Sequence, residues 1–387
     1  MRASLPPLRR LLPGVLALLL GCTDPYLPSA ITTPPSYLVV DGFLNSRGVT
    51  TIKLTRTYAI ASKTAPPTET KAAVYLEEEA GMRTLLREAP TGTYTSPALT
   101  LSPAKRYRLH LTTLAGQEYA SDYVPAKITP GIDDLSSRAE SNGLNIRLST
   151  HDPANATRFY RWDYAETWEI NPIYRPQVEY RAGTLDFPDI SVPYPTKCWG
   201  MAPSTTVLLS NTTPLSQDVV TDRLLRLLPP SSERLNTRYS ILVQQYALTR
   251  EEFEYWELLR KNTESIGSLF DAQPVQLTGN VHCLSAPAEP ALGFVGAHSV
   301  VEKRLFVARR ELPQAWLTPT GYEACYPPDS VWLNKPPLKY PLEALKSYFS
   351  LGQLIPIDRL QGGYTGKPRD CVDCRTRGTS VKPNFWP

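Results

Sequence analysis

Phe159-Tyr160-Arg161-Trp162-Asp163-Tyr164-Ala165-Glu166-Thr167-Trp168-Glu169-Ile170 decides the fold class. Tyr160, Trp162, Tyr164 and Trp168 share one parity, while Arg161, Asp163 and Thr167 take the other. A period of two is that of a β-strand, whose successive side chains point to opposite faces. The aromatic face reads as the inner wall of a sandwich, where large rings bury much area. Arg161 and Asp163 read as the opposite, solvated face. An exposed aromatic platform for a sugar or peptide is the alternative. Trp168, the one of the four nearest an edge, and Trp199 are the candidate ligand contacts.

Outward from this strand, the preceding chain repeats strand and turn. Leu38 to Gly42, Thr50 to Thr57, Ala72 to Leu76, Gly92 to Tyr94, Tyr107 to Thr113 and Tyr119 to Val124 are short runs rich in β-formers. Several strands at this spacing predict an immunoglobulin-like β-sandwich over 36–127. Prolines around Ala126 to Gly131 mark its end. A second β-rich, fibronectin-III-like region is expected over 128–318, with strands at Asn145 to Ser149, Tyr239 to Tyr246, Val275 to His282, Gly293 to Val300 and Arg304 to Ala308. The period changes once, near 249–263. There Thr249 is placed as N-cap, Glu251 and Glu252 lie in the first turn, and Phe253, Trp256, Leu258 and Leu259 follow at helical spacing. Residues 171–215 read as proline-rich loops with edge strands, and 319–387 as a proline-rich wrap containing a Cys-x-x-Cys pair. The whole is expected to be mainly β.

Composition agrees. The chain has 387 residues and 38 prolines, a density that breaks long helices and argues against bundles and coiled coils. The leader Arg2, Arg9 and Arg10, then the apolar run Leu11 to Leu20, is too short to span a bilayer and suits a signal peptide over 1–21. Removing it leaves 38 basic against 37 acidic residues, a balance of +1 that carries no nucleic-acid footprint. Leu19-Leu20-Gly21-Cys22 resembles a bacterial lipobox, which implies acylation of Cys22 and a membrane-lipid partner, with 22–35 as tether.

Five cysteines then remain. An exported chain meets an oxidising compartment, so Cys198, Cys325, Cys371 and Cys374 are the disulfide candidates, in one of three connectivities. Cys283, beside Leu284 in a strand pattern, is the expected free and buried thiol. Cys371-x-x-Cys374 lacks the second close pair of a zinc site. His110, His151, His282 and His298 read as structural. No nucleophile elbow, His-Glu-x-x-His or phosphate loop is present, and no cofactor is expected.

The lipobox cysteine, Leu38-Val39-Val40-Asp41-Gly42, Ala73-Val74-Tyr75 and Gly92-Thr93-Tyr94, together with Glu252-Phe253-Glu254-Tyr255-Trp256, resemble the Bacteroidetes lipoproteins grouped as domain-of-unknown-function family 4249. So do Gly267 to Pro274, Gly279-Asn280-Val281, Cys371-Val372-Asp373-Cys374-Arg375 and Pro383-Asn384-Phe385-Trp386. The resemblance implies an immunoglobulin-type N-terminal sandwich and an outer-membrane location beside TonB-dependent receptors. It supplies no catalytic residue. The function expected is a non-catalytic accessory lipoprotein of such a transporter, binding cargo or the receptor, with loops at 171–215 and 319–340 as contact surfaces. The alternatives are a glycan- or peptide-acting hydrolase with an unrecognised carboxylate pair, and a structural or adhesive surface lipoprotein.

Overall fold

The structure, a computed structural model, describes residues 36–59, 64–264, 277, 279–333, 340–350 and 352–387. The leader, Cys22, the tether and the Gly267 to Pro274 block lie outside the described residues.

The protein is mainly β and sandwich-like. The first sandwich is built from β1 (Leu38–Asn45), β2 (Arg47–Arg56), β3 (Ala73–Glu78), β4 (Arg83–Glu88), β5 (Thr93–Thr100), β6 (Arg106–Thr112), β7 (Glu118–Ser121) and the short β8 (Val124–Pro125). One sheet runs β1-β2-β5 and the other β3-β6-β7, and β4 pairs with both β3 and β5. Alternation decides the inner faces: Leu38, Val40, Ile52, Leu54, Val74, Leu76, Leu109 and Leu111 all point into one core. Tyr107 Oη accepts a hydrogen bond from the Ser102 amide at 3.0 Å, the corner that ties strand to turn in such sandwiches.

The second sandwich follows the same plan. It comprises β9 (Ile132–Glu140), β10 (Gly143–His151), β11 (Phe159–Ile170), β12 (Cys198–Pro203), β13 (Leu208–Asn211), β14 (Val219–Leu228) and β15 (Arg238–Ala247), with a later strand described below. One sheet is β9-β10-β14; in the other β11 lies between β15 and the successive pair β12 and β13. Tyr160, Trp162 and Tyr164 lie in its core with Ile146, Leu148, Tyr239 and Ile241, as the aromatic parity predicts. Trp162 Nε1 donates to Gln245 Oε1 at 2.8 Å, so its buried N–H is satisfied.

The connection after β15 departs from the expected boundary. Helix α1 (Arg250–Glu264) starts at the predicted N-cap, with Thr249 Oγ1 accepting from the Glu252 amide at 3.2 Å. The chain then crosses back to the first sandwich. There β16 (Val281–Cys283) adds to β7, and β17 (Ala291–Leu292) and β18 (Ala297–His298) pair in parallel with β1. Gly293 makes this possible. Its φ is +126°, and a Cβ there would lie 2.1 Å from the Val40 carbonyl oxygen. Only after this excursion does β19 (Val300–Ala308) close the second sandwich against β15. Strands expected to belong to the second region thus complete the first.

A third layer unites the two proline-rich stretches. β20 (Asp329–Trp332), β21 (Ile355–Leu360) and β22 (Gly363–Lys367) form a small sheet, accompanied by α2 (Pro341–Leu345) and α3 (Arg369–Val372). Its core joins Val178 and Phe187 to Val331, Leu345, Phe349 and Tyr364. The two segments expected to supply contact loops pack on each other. Disulfides Cys198–Cys374 and Cys325–Cys371 hold this layer, and Cys283 is free and buried.

Candidate functional site

The three segments that make the junction between the sandwiches (β1, β11 with β15, and the excursion carrying α1 and β18) enclose a cavity of about 280 Å³. Domain junctions are a preferred setting for small-molecule sites. The face of β11 expected to be solvated is one of its walls. Arg161 is only 8% exposed, because α1 covers it. Its guanidinium carbon lies 4.0 Å from the Trp256 ring centroid and 4.5 Å from that of Tyr246. Its Nη2 donates to Asp163 Oδ2 at 2.9 Å. Two aromatic faces and a carboxylate thus compensate a cation withdrawn from water.

Glu252 stands three residues after the N-cap, the capping-box position from which a glutamate normally reaches back to the cap amide. Here its side chain turns inward and is 3% exposed. Oε1 lies 3.3 Å from Nε2 of His298, which is 1% exposed and stacks on Phe43 with ring centroids 4.3 Å apart. Gly296 gives the carboxylate its berth: a Cβ at that position would lie 2.2 Å from Oε2.

Four polar atoms of this lining are buried without a protein hydrogen-bond partner among the described residues: Glu252 Oε2, His298 Nδ1, Arg161 Nε and Trp256 Nε1. An unsatisfied buried polar group costs about 1–3 kcal/mol, and these four belong to side chains that line one cavity. The set offers one carboxylate acceptor, two N–H donors and an imidazole nitrogen that serves either way. Burial, followed by the charge of Asp163, pushes the Tyr246 hydroxyl up to about 12. Burial and then Asp41 raise that of Tyr255. Both therefore act as neutral hydroxyls at physiological pH.

Trp168 and Trp199 lie elsewhere. Trp168 is half-buried, with the Arg234 guanidinium carbon 4.5 Å from its ring centroid and Gly200 against its indole. Trp199 is buried in the wall of a second, basic recess. Glu166, of the aromatic parity, is buried in the second sandwich, where Tyr239 Oη donates to it at 2.8 Å and Arg226 and Arg234 pair with it. His110 bridges Glu118 and Glu77, and His151 and His282 pair with Asp133 and Asp122. Among the described residues no three His, Cys, Asp or Glu side chains are placed to hold a metal ion. No described helix is long and apolar enough to cross a membrane. Sequence reading missed Glu252 and His298 as partners. The one signal was a Thr-x-x-Glu box whose glutamate had a second use available to it.

Residues 23–304, nearly three quarters of the chain, match the model of a family described as a domain of unknown function, DUF4249. The match takes in both sandwiches up to β19, every residue of the junction cavity and the 171–198 part of the third layer, and stops before β20 to β22. No curated protein matches the chain closely enough to count as a relative. A match of that extent, running unbroken through both sandwiches and the excursion that interlocks them, makes this chain a member of the DUF4249 family.

Proposed function

We propose that the protein is an exported, lipid-anchored binding protein of the outer membrane, a non-catalytic accessory of a TonB-dependent transporter. In this reading the junction cavity holds a small, many-hydroxylated or similarly polar cargo. The gathering of Glu252, His298, Arg161 and Trp256, each with a buried polar atom that lacks a protein partner, in the lining of one cavity of about 280 Å³ carries it. Hydroxyl groups both donate and accept, which is what this mixed set asks of a guest. The leader ending at Gly21-Cys22 supports the anchor.

The test has two arms. Membranes from cells producing the tagged wild type and Cys22→Ala are solubilised and the partners of each are identified. The accessory role predicts an outer-membrane β-barrel with the acylated form only, and recovery of the protein alone overturns it. In the second arm, purified protein is titrated with a panel of sugars and amino acids while tryptophan emission is followed. A saturable ligand whose binding is lost in Glu252→Gln is expected, and a hit unaffected by that change places the cargo elsewhere.

One observation favours a second reading, a hydrolase: Glu252 and Asp163 both line the cavity. Release of product from a bound glycan or peptide by the wild type, abolished in Glu252→Gln, would distinguish it from capture alone.

A further inference from the structure

Outside the junction, the molecule carries a second concavity of about 520 Å³ between the edge of the β11–β15–β19 sheet and the C-terminal segment. Its chemistry is of another kind. Lys197, Arg238, Arg309, Arg310 and Lys382 line it, against a single acidic side chain, Glu169. That carboxylate is already engaged: Lys197 Nζ lies 3.1 Å from Oε1, and Trp386 Nε1 donates to the same atom at 2.9 Å. Among the side chains that line it, cations outnumber acids by five to one in a chain that is close to neutral once its leader is removed.

The cations differ in what they have left to offer. Arg309 spends its donors on the carbonyls of Leu312, Pro313, Gln314 and Trp316 and so contributes charge alone. Arg238, Arg310 and Lys382 make no ion pair among the described residues, although their neighbours on the same surface do. A concave wall of one sign focuses its field and concentrates counter-ions.

The floor is built to hold this shape. The Trp199 amide donates to the Thr379 carbonyl at 2.8 Å and the Thr379 amide returns the bond at 3.0 Å, which straps the C-terminal segment down. Trp199 is 7% exposed, yet its Nε1 is buried without a partner among the described residues. A group of unpaired cations in one concavity calls for a ligand that carries negative charge.

We infer that this recess is a binding site for a multiply charged phosphoryl anion, held by Arg238, Arg310 and Lys382 in a concavity that Trp199 also lines. Arginine forks match phosphoryl oxygens bidentately, and three separate cations suit a group bearing more than one negative charge. The anion can come from an anionic lipid headgroup or from a soluble phosphorylated molecule, and the chemistry is the same. The site is separate from the junction cavity, and its test does not depend on the reading of that cavity.

The mature protein is titrated with inorganic pyrophosphate at low ionic strength while tryptophan emission is followed, beside the Arg310→Glu/Lys382→Glu variant. Both positions are exposed, so the fold tolerates the change, and the variant's unfolding midpoint checks this. The wild type is expected to saturate, and the variant to bind at least tenfold more weakly. In parallel, flotation with phosphatidylglycerol and phosphatidylcholine vesicles, using protein without the lipid anchor, separates the sources. Binding to anionic vesicles that the variant loses assigns the headgroup. Pyrophosphate binding without it assigns a soluble ligand. If neither probe binds the wild type, or if wild type and folded variant bind equally, the inference is overturned.

Discussion

His298 Nε2 lies 3.3 Å from Glu252 Oε1, and each belongs to a different sandwich's business. Glu252 rides on the helix that leaves the second sandwich, and His298 sits on the strand that pairs with β1 of the first. Their contact therefore reports how the two bodies are held, as well as the chemistry of the cavity between them.

Gly296→Ala is expected to separate the two. The new methyl group would lie 2.2 Å from Glu252 Oε2, and the carboxylate is too enclosed to move aside freely. Overpacking of this kind costs about 1–3 kcal/mol. Chemical denaturation measures it, and a shift under about 0.3 kcal/mol would show that the berth is slack.

Arg161→Met keeps most of the volume between Trp256 and Tyr246 but removes the charge and the 2.9 Å bond to Asp163. Asp163 is partly solvated, so water can replace the lost partner. Stability should fall by no more than about 2 kcal/mol, while affinity for the cavity's ligand falls at least tenfold. A loss of stability without loss of binding would make Arg161 a packing residue only.

The disulfides should fail locally first. Cys325–Cys371 spans 46 positions, for which the chain-entropy relation gives about 4 kcal/mol. Cys325–Cys371 lies outside both sandwich sheets, and Cys198–Cys374 ties the chain after β22 to the end of edge strand β12. Hydrogen exchange of the reduced protein should show lost protection in β20 and β22 while β11 and β15 stay protected. Simultaneous loss in all four strands would mean that the layer is not a separate unit.

Asp373 sets an acid limit on that same layer. Burial by itself would raise its pKa, but hydrogen bonds from Arg375 and Arg369 outweigh burial and hold it below the ordinary carboxylate value. A folded-state pKa below the unfolded one gives stability that is present above the unfolded value, about 3.9, and is lost as pH falls through the folded one. Asp373→Asn should therefore cost about 2 kcal/mol at neutral pH and remove the pH dependence below about pH 4. Urea midpoints of both forms across that range decide it.

The parts of this architecture legible in sequence are those set by local pattern. The aromatic parity of β11 placed Tyr160, Trp162 and Tyr164 inward, Thr249 capped the helix as its chemistry suggests, and the four candidate cysteines pair. The connectivity and the site were not legible, for one physical reason. Period two says which residues share a face, and nothing about what later covers that face. Arg161 and Asp163 looked solvated because the helix that roofs them arrives nearly ninety residues on. β17 and β18 are two-residue pairings, too short for any pattern, and their partner β1 lies about 250 positions earlier. Trp199 was singled out without its surroundings, since the cations around it come from four separate stretches of chain.

Because β1 takes parallel partners from Ala291 to His298, the half of the molecule that leaves the ribosome first is among the last to be finished. Until those residues emerge, β1 presents a bare edge along the face that they later cover, the kind of template on which neighbouring chains pair and aggregate. On the export route proposed above, the chain would carry that exposed strand throughout its passage. Its folding should lean on holding chaperones until residue 298 has followed.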